Sequence, residues 1–371
     1  MKTKKESEYA MYLNNDNKYL CSGCTACKAV CPVDAIEMVR DEEGFKYPKI
    51  NKEKCIDCNL CKNICPNVKK SSENEMIEAH GVKLKDLERR KTSRSGGAFI
   101  AISDYILNQD GVIYGSVLNR DFSVSHSRAT NKEERDLFKG SKYVQSDMND
   151  TIKQVIEDLK NGHKVLFSGT PCQVGGVIAA VPKKLQDNLF TIDILCHGVP
   201  SNMVYEEFLK YIEEKENKKI KEFIFRDKSF GWSTHYETFI FEDNSKITTE
   251  FFRNLFYGHN VLRPSCFKCN YANVNRPADI TIADFWGVDE IAPEFYDETG
   301  VSLAIINSEK GKEIFENVKD DYDTVPCSLE NCIKYAYTLR HPTEEPEERE
   351  EFWNDYSEKE FKDIIEKYAT R

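Results

Sequence analysis

The sequence predicts an α+β chain in which a small, cysteine-rich N-terminal domain precedes a larger mixed α/β body. Three observations lead there. Eight of the 14 cysteines fall before residue 66 in two copies of one spacing. A polar, aperiodic stretch follows from Lys69 to Ala79. Beyond it, short apolar runs alternate with segments of helical period, the pattern of strands packed between helices. At about 150 residues per domain, a chain of 371 residues has room for two or three domains. The expected boundaries are a cysteine-rich domain at 1–70, a linker at 71–90, the body at 91–343 and an acidic C-terminal helix at 344–371.

Within the first domain, Ala35–Val39 and Phe45–Ile50 flank the turn-like Asp41-Glu-Glu-Gly44, which reads as a short hairpin. In the body, Phe99, Ile102 and Ile106 mark a helix that starts after Ser95-Gly96-Gly97. Val112–Leu118 follows as a strand. Ile152, Val155, Ile156 and Leu159 share one helical face, with Asp150 as a cap and Gly162 as the stop. Lys164–Phe167 and Leu189–Leu195 suit buried strands, and Val174–Ala180 a helix between them. Val204, Phe208, Tyr211 and Ile212 form another amphipathic helix headed by Ser201. Later strands are expected at Ile220–Arg226, Tyr236–Phe241, Asp279–Ala283 and Leu303–Ile306. The acidic run Glu344–Glu350 reads as a solvated face leading into a helix around Phe352–Tyr368.

A net charge of −11 and a pI near 5.4 argue against a nucleic-acid partner, whose footprint is basic. The most apolar run, Val165–Val181, is interrupted by Ser168, Thr170, Pro171 and Gln173, so no membrane span is expected. The basic start lacks an apolar segment behind it and does not read as a secretory signal. A cytoplasmic location follows, and with it thiols used for metal or redox chemistry rather than disulfides.

The cysteine spacing names the chemistry. Cys21, Cys24, Cys27 and Cys31-Pro32 recur as Cys55, Cys58, Cys61 and Cys65-Pro66, each 34 positions later. C-x2-C-x2-C-x3-C-P, twice, is the bacterial two-cluster ferredoxin signature. Three cysteines two residues apart wrap three corners of a 4Fe–4S cube, and the fourth reaches across to the other cube. Cys21, Cys24, Cys27 and Cys65 are therefore expected on one cluster, and Cys55, Cys58, Cys61 and Cys31 on the second. Zinc sites favour separated CxxC pairs instead.

Of the six remaining cysteines, four suggest a third site. Cys172, in Ser168-Gly-Thr-Pro-Cys-Gln173, and Cys196, in Cys196-His-Gly198, each follow a predicted strand, where ligands collect in open α/β sheets. The helix start beside Cys172 is expected to lower its pKa. Cys266-Phe-Lys-Cys269 adds a CxxC loop. Each single cysteine also fits a buried small hydrophobe, and the CxxC fits a zinc half-site or a redox pair. Cys327 and Cys332 read as core or surface thiols. No GxGxxG or Walker A loop is present. Two loops suit an anionic or aromatic ligand: Ser93-Arg-Ser-Gly-Gly97 at a helix start, and Lys139–Ser146 with its cations and aromatic ring. Glycine pairs before helices also serve simply as turns.

From Lys91 to about His341 the chain resembles the coenzyme F-420 hydrogenase/dehydrogenase beta-subunit family, which also includes the plant 7-hydroxymethyl chlorophyll a reductase. The strings that carry the resemblance are SRSGGAF, GSKYVQSD, SGTPCQVGG, CHGVPS, FRDKSFGW, CFKCNYAN and ADITIADFWG. The resemblance implies a flavin and iron–sulfur body with its own 4Fe–4S cluster on Cys172, Cys196, Cys266 and Cys269. It further implies FAD contacts near Ser95, Gly96, Gly97, Lys142, Tyr143 and Asp284.

The expected activity is that of an iron–sulfur flavoprotein oxidoreductase with three 4Fe–4S clusters and FAD. Ferredoxin or another redox protein or subunit serves as donor and a small organic molecule as acceptor. A flavin is the converter such wiring needs, because it takes electrons singly and releases two as hydride. The rival is a non-catalytic electron-transfer subunit of a larger redox complex. His197 and His235 are conspicuous, but the sequence assigns no catalytic acid or base.

Overall fold

The computed structural model describes residues 12–68 and 74–370. In the N-terminal domain, strands β1 (Ile36–Arg40) and β2 (Lys46–Ile50) form the expected antiparallel hairpin. Its turn is closed by Asp41, whose carboxylate accepts from the backbone N–H groups of Glu43 and Phe45. The cysteine runs coil into one-turn helices, Ala26–Ala29 and Leu60–Ile64. Each is entered through a left-handed residue, Thr25 and Asn59, that turns the chain sharply between cysteines.

Residues 71–73 of the expected linker lie outside the described residues. The rest of it is not a bare connection. Glu78–Leu84 forms β3, and Leu87–Lys91 a short helix capped by Asp86. β3 lies inside the main sheet, paired antiparallel with two strands that come much later in the chain.

That sheet is completed by β4 (Val112–Leu118), β5 (Val124–Ala129), β6 (Val165–Gly169) and β7 (Leu189–Ile194) from the first part of the body. Three strands, β8 (Ile220–Ile224), β9 (Glu237–Phe241) and β10 (Lys246–Thr249), make a separate antiparallel sheet. β11 (Ile280–Asp284), β12 (Ser302–Ile306) and β13 (Tyr322–Cys327) return to the main sheet, whose eight strands run β13-β3-β12-β11-β7-β6-β4-β5. Its middle, β11-β7-β6-β4, is parallel, and its flanks are antiparallel. Parallel strands need helical crossovers that cover both faces, which is why these strands are nearly continuous apolar runs.

Helices Ala98–Leu107 and Glu309–Val318 cover one face through Ile102, Ile106, Ile314 and Phe315. Thr151–Lys160 and Pro171–Ala180 cover the other through Ile152, Val155, Val174 and Val177. Asp150 heads the 151–160 helix without a side-chain capping bond, contrary to the expected role; its carboxylate pairs instead with Lys28 of the cysteine-rich domain.

The C-terminal segment keeps its acidic run solvated, with Glu344, Glu345, Glu347 and Glu350 exposed, but divides the single expected helix. It forms two helices, Arg349–Glu358 and Phe361–Tyr368, whose Phe352, Ile364 and Ile365 are buried against Phe208, Phe239 and Phe252 of the small-sheet lobe. Fully burying such side chains stabilises by about 1.5–3 kcal/mol each, more than enough to hold a segment that is acidic only on its outer side.

The cysteine-rich domain is docked on the body rather than tethered to it. Ala26 is fully buried in the same cluster as Val174 and Val177. Around that apolar contact, Arg349 makes a paired bond to Glu43 (2.9 Å for one arm), Arg40 pairs with Glu206, and Lys153 with Asp34. The half-buried Arg349–Glu43 pair is the one geometry here expected to matter; the exposed pairs add little. No helix among the described residues is long and apolar enough to cross a membrane.

Candidate redox site

Three adjacent parallel strands deliver three predicted site residues to one end of the sheet. β6 ends at Gly169, three residues before Cys172; β7 ends two residues before Cys196; and β11 ends on Asp284 itself. This is the crevice outside the carboxyl ends of parallel strands where such sheets bind ligands. Cys172 sits in the first turn of the 171–180 helix, and its Sγ lies 3.3 Å from the Thr170 hydroxyl. Gln173 fixes that turn, its Oε1 accepting from the Thr170 N–H.

Cys172, Cys196, Cys266 and Cys269 all line one cavity of about 190 Å³. The cysteine-rich domain also lines it, through Leu20, Ser22 and Asn67. A neighbouring small cavity is lined by Cys21, Cys24, Cys27 and Cys65, the set expected to share one cluster. In the other set, Cys55 and Cys58 lie near enough to act electrostatically on Cys61, and Cys58 is exposed. Cys31 accepts a hydrogen bond from the Ala35 N–H at 3.2 Å. Among the described residues, no group of three His, Cys, Asp or Glu side chains is placed to hold a single metal ion.

Burial pushes the thiols up: Cys196 to about 12, Cys269 to about 11, and Cys172, Cys266, Cys24 and Cys27 above their ordinary value. For Cys172 this reverses the expected lowering. Loss of hydration costs the thiolate more than the helix terminus, Thr170 and nearby Arg263 return. Thiols in this state become thiolates when a positive centre replaces their protons.

Alongside this cavity lies a second group of polar and aromatic side chains. The Asp284 carboxylate is 2.7 Å from Arg226 and 3.6 Å from Arg94. Burial opposes its ionisation, and the two cations outweigh burial, holding it below the usual carboxylate range. Arg226 also donates to the carbonyls of Trp232 and Thr234, and its guanidinium lies 5.4 Å from the Trp286 ring centre. Trp232 stacks on Trp286 at 4.9 Å, and Tyr143 packs on His235 at 4.5 Å. Within this group Arg94 Nε and Nη1, Trp232 Nε1 and His235 Nδ1 are buried with no hydrogen-bond partner among the described residues. Buried polar atoms left unpaired cost stability, and several in one place mark a polar ligand's position. His197, beside Cys196, approaches the same group through Tyr257, and Tyr337 holds its Nδ1 at 2.8 Å.

The glycine loop is packed closely on the main sheet. The Gly96 N–H donates to Ser302 Oγ and the Gly97 N–H to the Arg94 carbonyl. Gly96 is a glycine because the loop presses on the sheet: a Cβ there would lie 2.2 Å from the Val82 carbonyl oxygen. Ser95 Oγ donates to the Val301 carbonyl. Lys142 spends its ammonium on the carbonyls of Ser116, Leu137 and Lys139 and braces its own loop. Tyr143 and Asp284 are thus brought together, with Arg226 between them; Gly96, Gly97 and Lys142 are engaged elsewhere. Arg226 and Trp232 join the site unannounced by sequence reasoning, although both stand in the FRDKSFGW string. Cys327 and Cys332 are buried core thiols with Sγ atoms 3.2 Å apart.

Residues 20–68 match the family model of the 4Fe-4S dicluster domain. Residues 162–327 match the model for the C terminus of the coenzyme F420 hydrogenase/dehydrogenase beta subunit. Among solved structures, a chain from the F420-reducing NiFe hydrogenase complex of Methanosarcina barkeri, described in a xenon-derivatization study, shares the fold. The TM-score is 0.51 at 20% identity, over 72% of this chain and 90% of that one. No curated protein matches the chain. The chain is an iron–sulfur electron-transfer protein of oxidoreductase lineage. Its residues 162–327 are related to the C terminus of the coenzyme F420 hydrogenase/dehydrogenase beta subunit, behind a 4Fe-4S dicluster domain.

Proposed function

We propose that the protein is an FAD-containing iron–sulfur oxidoreductase. It would take single electrons from ferredoxin or another redox protein or subunit and pass them to a small organic acceptor in the cytoplasm. One observation carries this reading: thiols from three separate chain segments line a single cavity that residues of the dicluster domain also line. Cys21, Cys24, Cys27 and Cys65 would hold one 4Fe–4S cluster, and Cys31, Cys55, Cys58 and Cys61 a second. Cys172, Cys196, Cys266 and Cys269 would hold a third.

FAD would lie against Arg94, Arg226, Asp284, Tyr143 and His235. The unpaired buried atoms there support a polar heterocycle, and the stacked Trp232 and Trp286 a flat one. Bound clusters supply one-electron transfer, and a bound flavin supplies the conversion to hydride chemistry. The residues do the rest. Exposed Cys58 leaves the Cys55–Cys61 run open to a partner, whereas Cys21, Cys24, Cys27 and Cys65 line a cavity inside the dicluster domain and Cys172, Cys196, Cys266 and Cys269 line one at the seam with the body. Arg94 and Arg226 offer positive charge to a reduced, anionic ring or a phosphate, and Asp284 keeps both cations in place.

Anaerobic purification followed by iron and flavin assay tests the reading. About twelve irons and one flavin per chain are expected. About eight irons without flavin would leave an electron-transfer module instead.

A further inference from the structure

Arg263 is 1% exposed and lies at the seam between the dicluster domain and the body. Its guanidinium donates to the Cys21 carbonyl at 2.7 Å, to Gln145 Oε1 at 2.9 Å and to the Lys46 carbonyl at 3.0 Å. Nη2 is 3.8 Å from Cys21 Sγ. The plane rests on Tyr47, 4.3 Å from the ring centre, with Phe45 behind at 5.4 Å. The same residue lines the cavity of Cys172, Cys196, Cys266 and Cys269, and its carbonyl accepts from the Cys266 N–H.

A buried guanidinium is costly unless an anion compensates it. The hydrogen-bond acceptors of the guanidinium are all neutral oxygens, and the strongest electrostatic influences on it are Cys21, Tyr47, Cys266 and Cys172. Neutral thiols and a phenol leave its charge unbalanced. Four thiolates outweigh the charge of a cubane core, so a bound cluster is a net anion, more so once reduced. Charge and hydrogen bonds to the sulfurs are the protein's levers on cluster potential.

We infer that Arg263 is a positioning residue shared by two clusters: its single buried charge raises the reduction potential of the cluster on Cys21, Cys24, Cys27 and Cys65 and of the cluster on Cys172, Cys196, Cys266 and Cys269 together, and so keeps electron transfer across the domain seam balanced. The neutral carbonyl and amide acceptors aim the charge; Phe45 and Tyr47 exclude the water that would screen it. This inference rests on the cluster assignments proposed above.

The test is anaerobic potentiometric titration, followed by electron paramagnetic resonance, of the wild type, Arg263→Gln and Arg263→Lys. Arg263→Gln is expected to reduce at least tenfold less readily at the seam clusters, about 59 mV for a one-electron couple. The exposed cluster of Cys55, Cys58 and Cys61 keeps its potential and serves as the internal control. Arg263→Lys, which keeps the charge, recovers most of the shift. If Arg263→Gln instead sheds iron, selective loss at the seam sites with recovery in Arg263→Lys carries the same meaning. Unchanged potentials with full iron, or equal defects in both variants, overturn the inference. A wild type with iron only in the dicluster domain defeats the third-site assignment, and the Cys21 cluster then still decides the role of Arg263.

Discussion

Gly176 and Cys24 meet face to face: a Cβ on Gly176 would lie 2.8 Å from the Cβ of Cys24 and 3.0 Å from its Sγ. One residue belongs to the helix that begins with Pro171-Cys172, the other to the first cysteine run. The Cys24 side chain therefore packs directly on the Gly176 backbone, with no room for a Cβ there.

Gly176→Val is expected to force this seam apart. Overpacking a tight contact costs about 1–3 kcal/mol, and here the strain falls on a rigid, ligand-bearing loop. The expected outcome is a lower Tm, together with slowed reduction of the body by an electron donor added from outside. Stopped-flow absorbance checks the second effect; unimpaired transfer in Gly176→Val would show that the seam is not the electron path.

The cations at Asp284 separate binding from stability. Arg94 has two guanidinium nitrogens without partners among the described residues, so Arg94→Met is expected to lower flavin occupancy at least tenfold while changing Tm little. Asp284→Asn strips the counter-charge from Arg94 and Arg226 and is expected to destabilise by about 3–5 kcal/mol. Flavin content after gel filtration and thermal melts distinguish the two.

His126 gives the fold a pH dependence. Burial holds its pKa down to about 4; its Nε2–H donates to the Ser168 carbonyl, and its Nδ1 accepts from the Ser146 hydroxyl. Its folded pKa is below its unfolded one, so the unfolded chain binds the proton first as pH falls. Stability from this group is full above about pH 6.5 and is lost progressively toward pH 4. In His126→Asn that part of the acid slope is expected to vanish, read from Tm against pH relative to the wild type.

Much of this architecture was legible in the residues. The cysteine repeat set out the dicluster domain because cluster geometry demands that spacing. The apolar runs before Cys172, Cys196 and Asp284 placed all three at strand ends. β3 was hidden because Glu78–Leu84 mixes His, Gly and Lys into a strand whose neighbours are more than 200 residues away in the chain. Sequence periodicity carries no trace of such pairing. Gly96 is constrained in a related way, by the sheet beneath it, where a Cβ would meet the Val82 carbonyl oxygen. Arg263 left only its position three residues before Cys266, and nothing in that spacing marks a charge turned toward another domain.

The central claim, that Cys172, Cys196, Cys266 and Cys269 form a cluster site of their own, is tested most directly by counting iron in Cys172→Ala purified without oxygen. The account predicts about four irons fewer than the wild type, with the dicluster signals intact. An iron content equal to the wild type contradicts it.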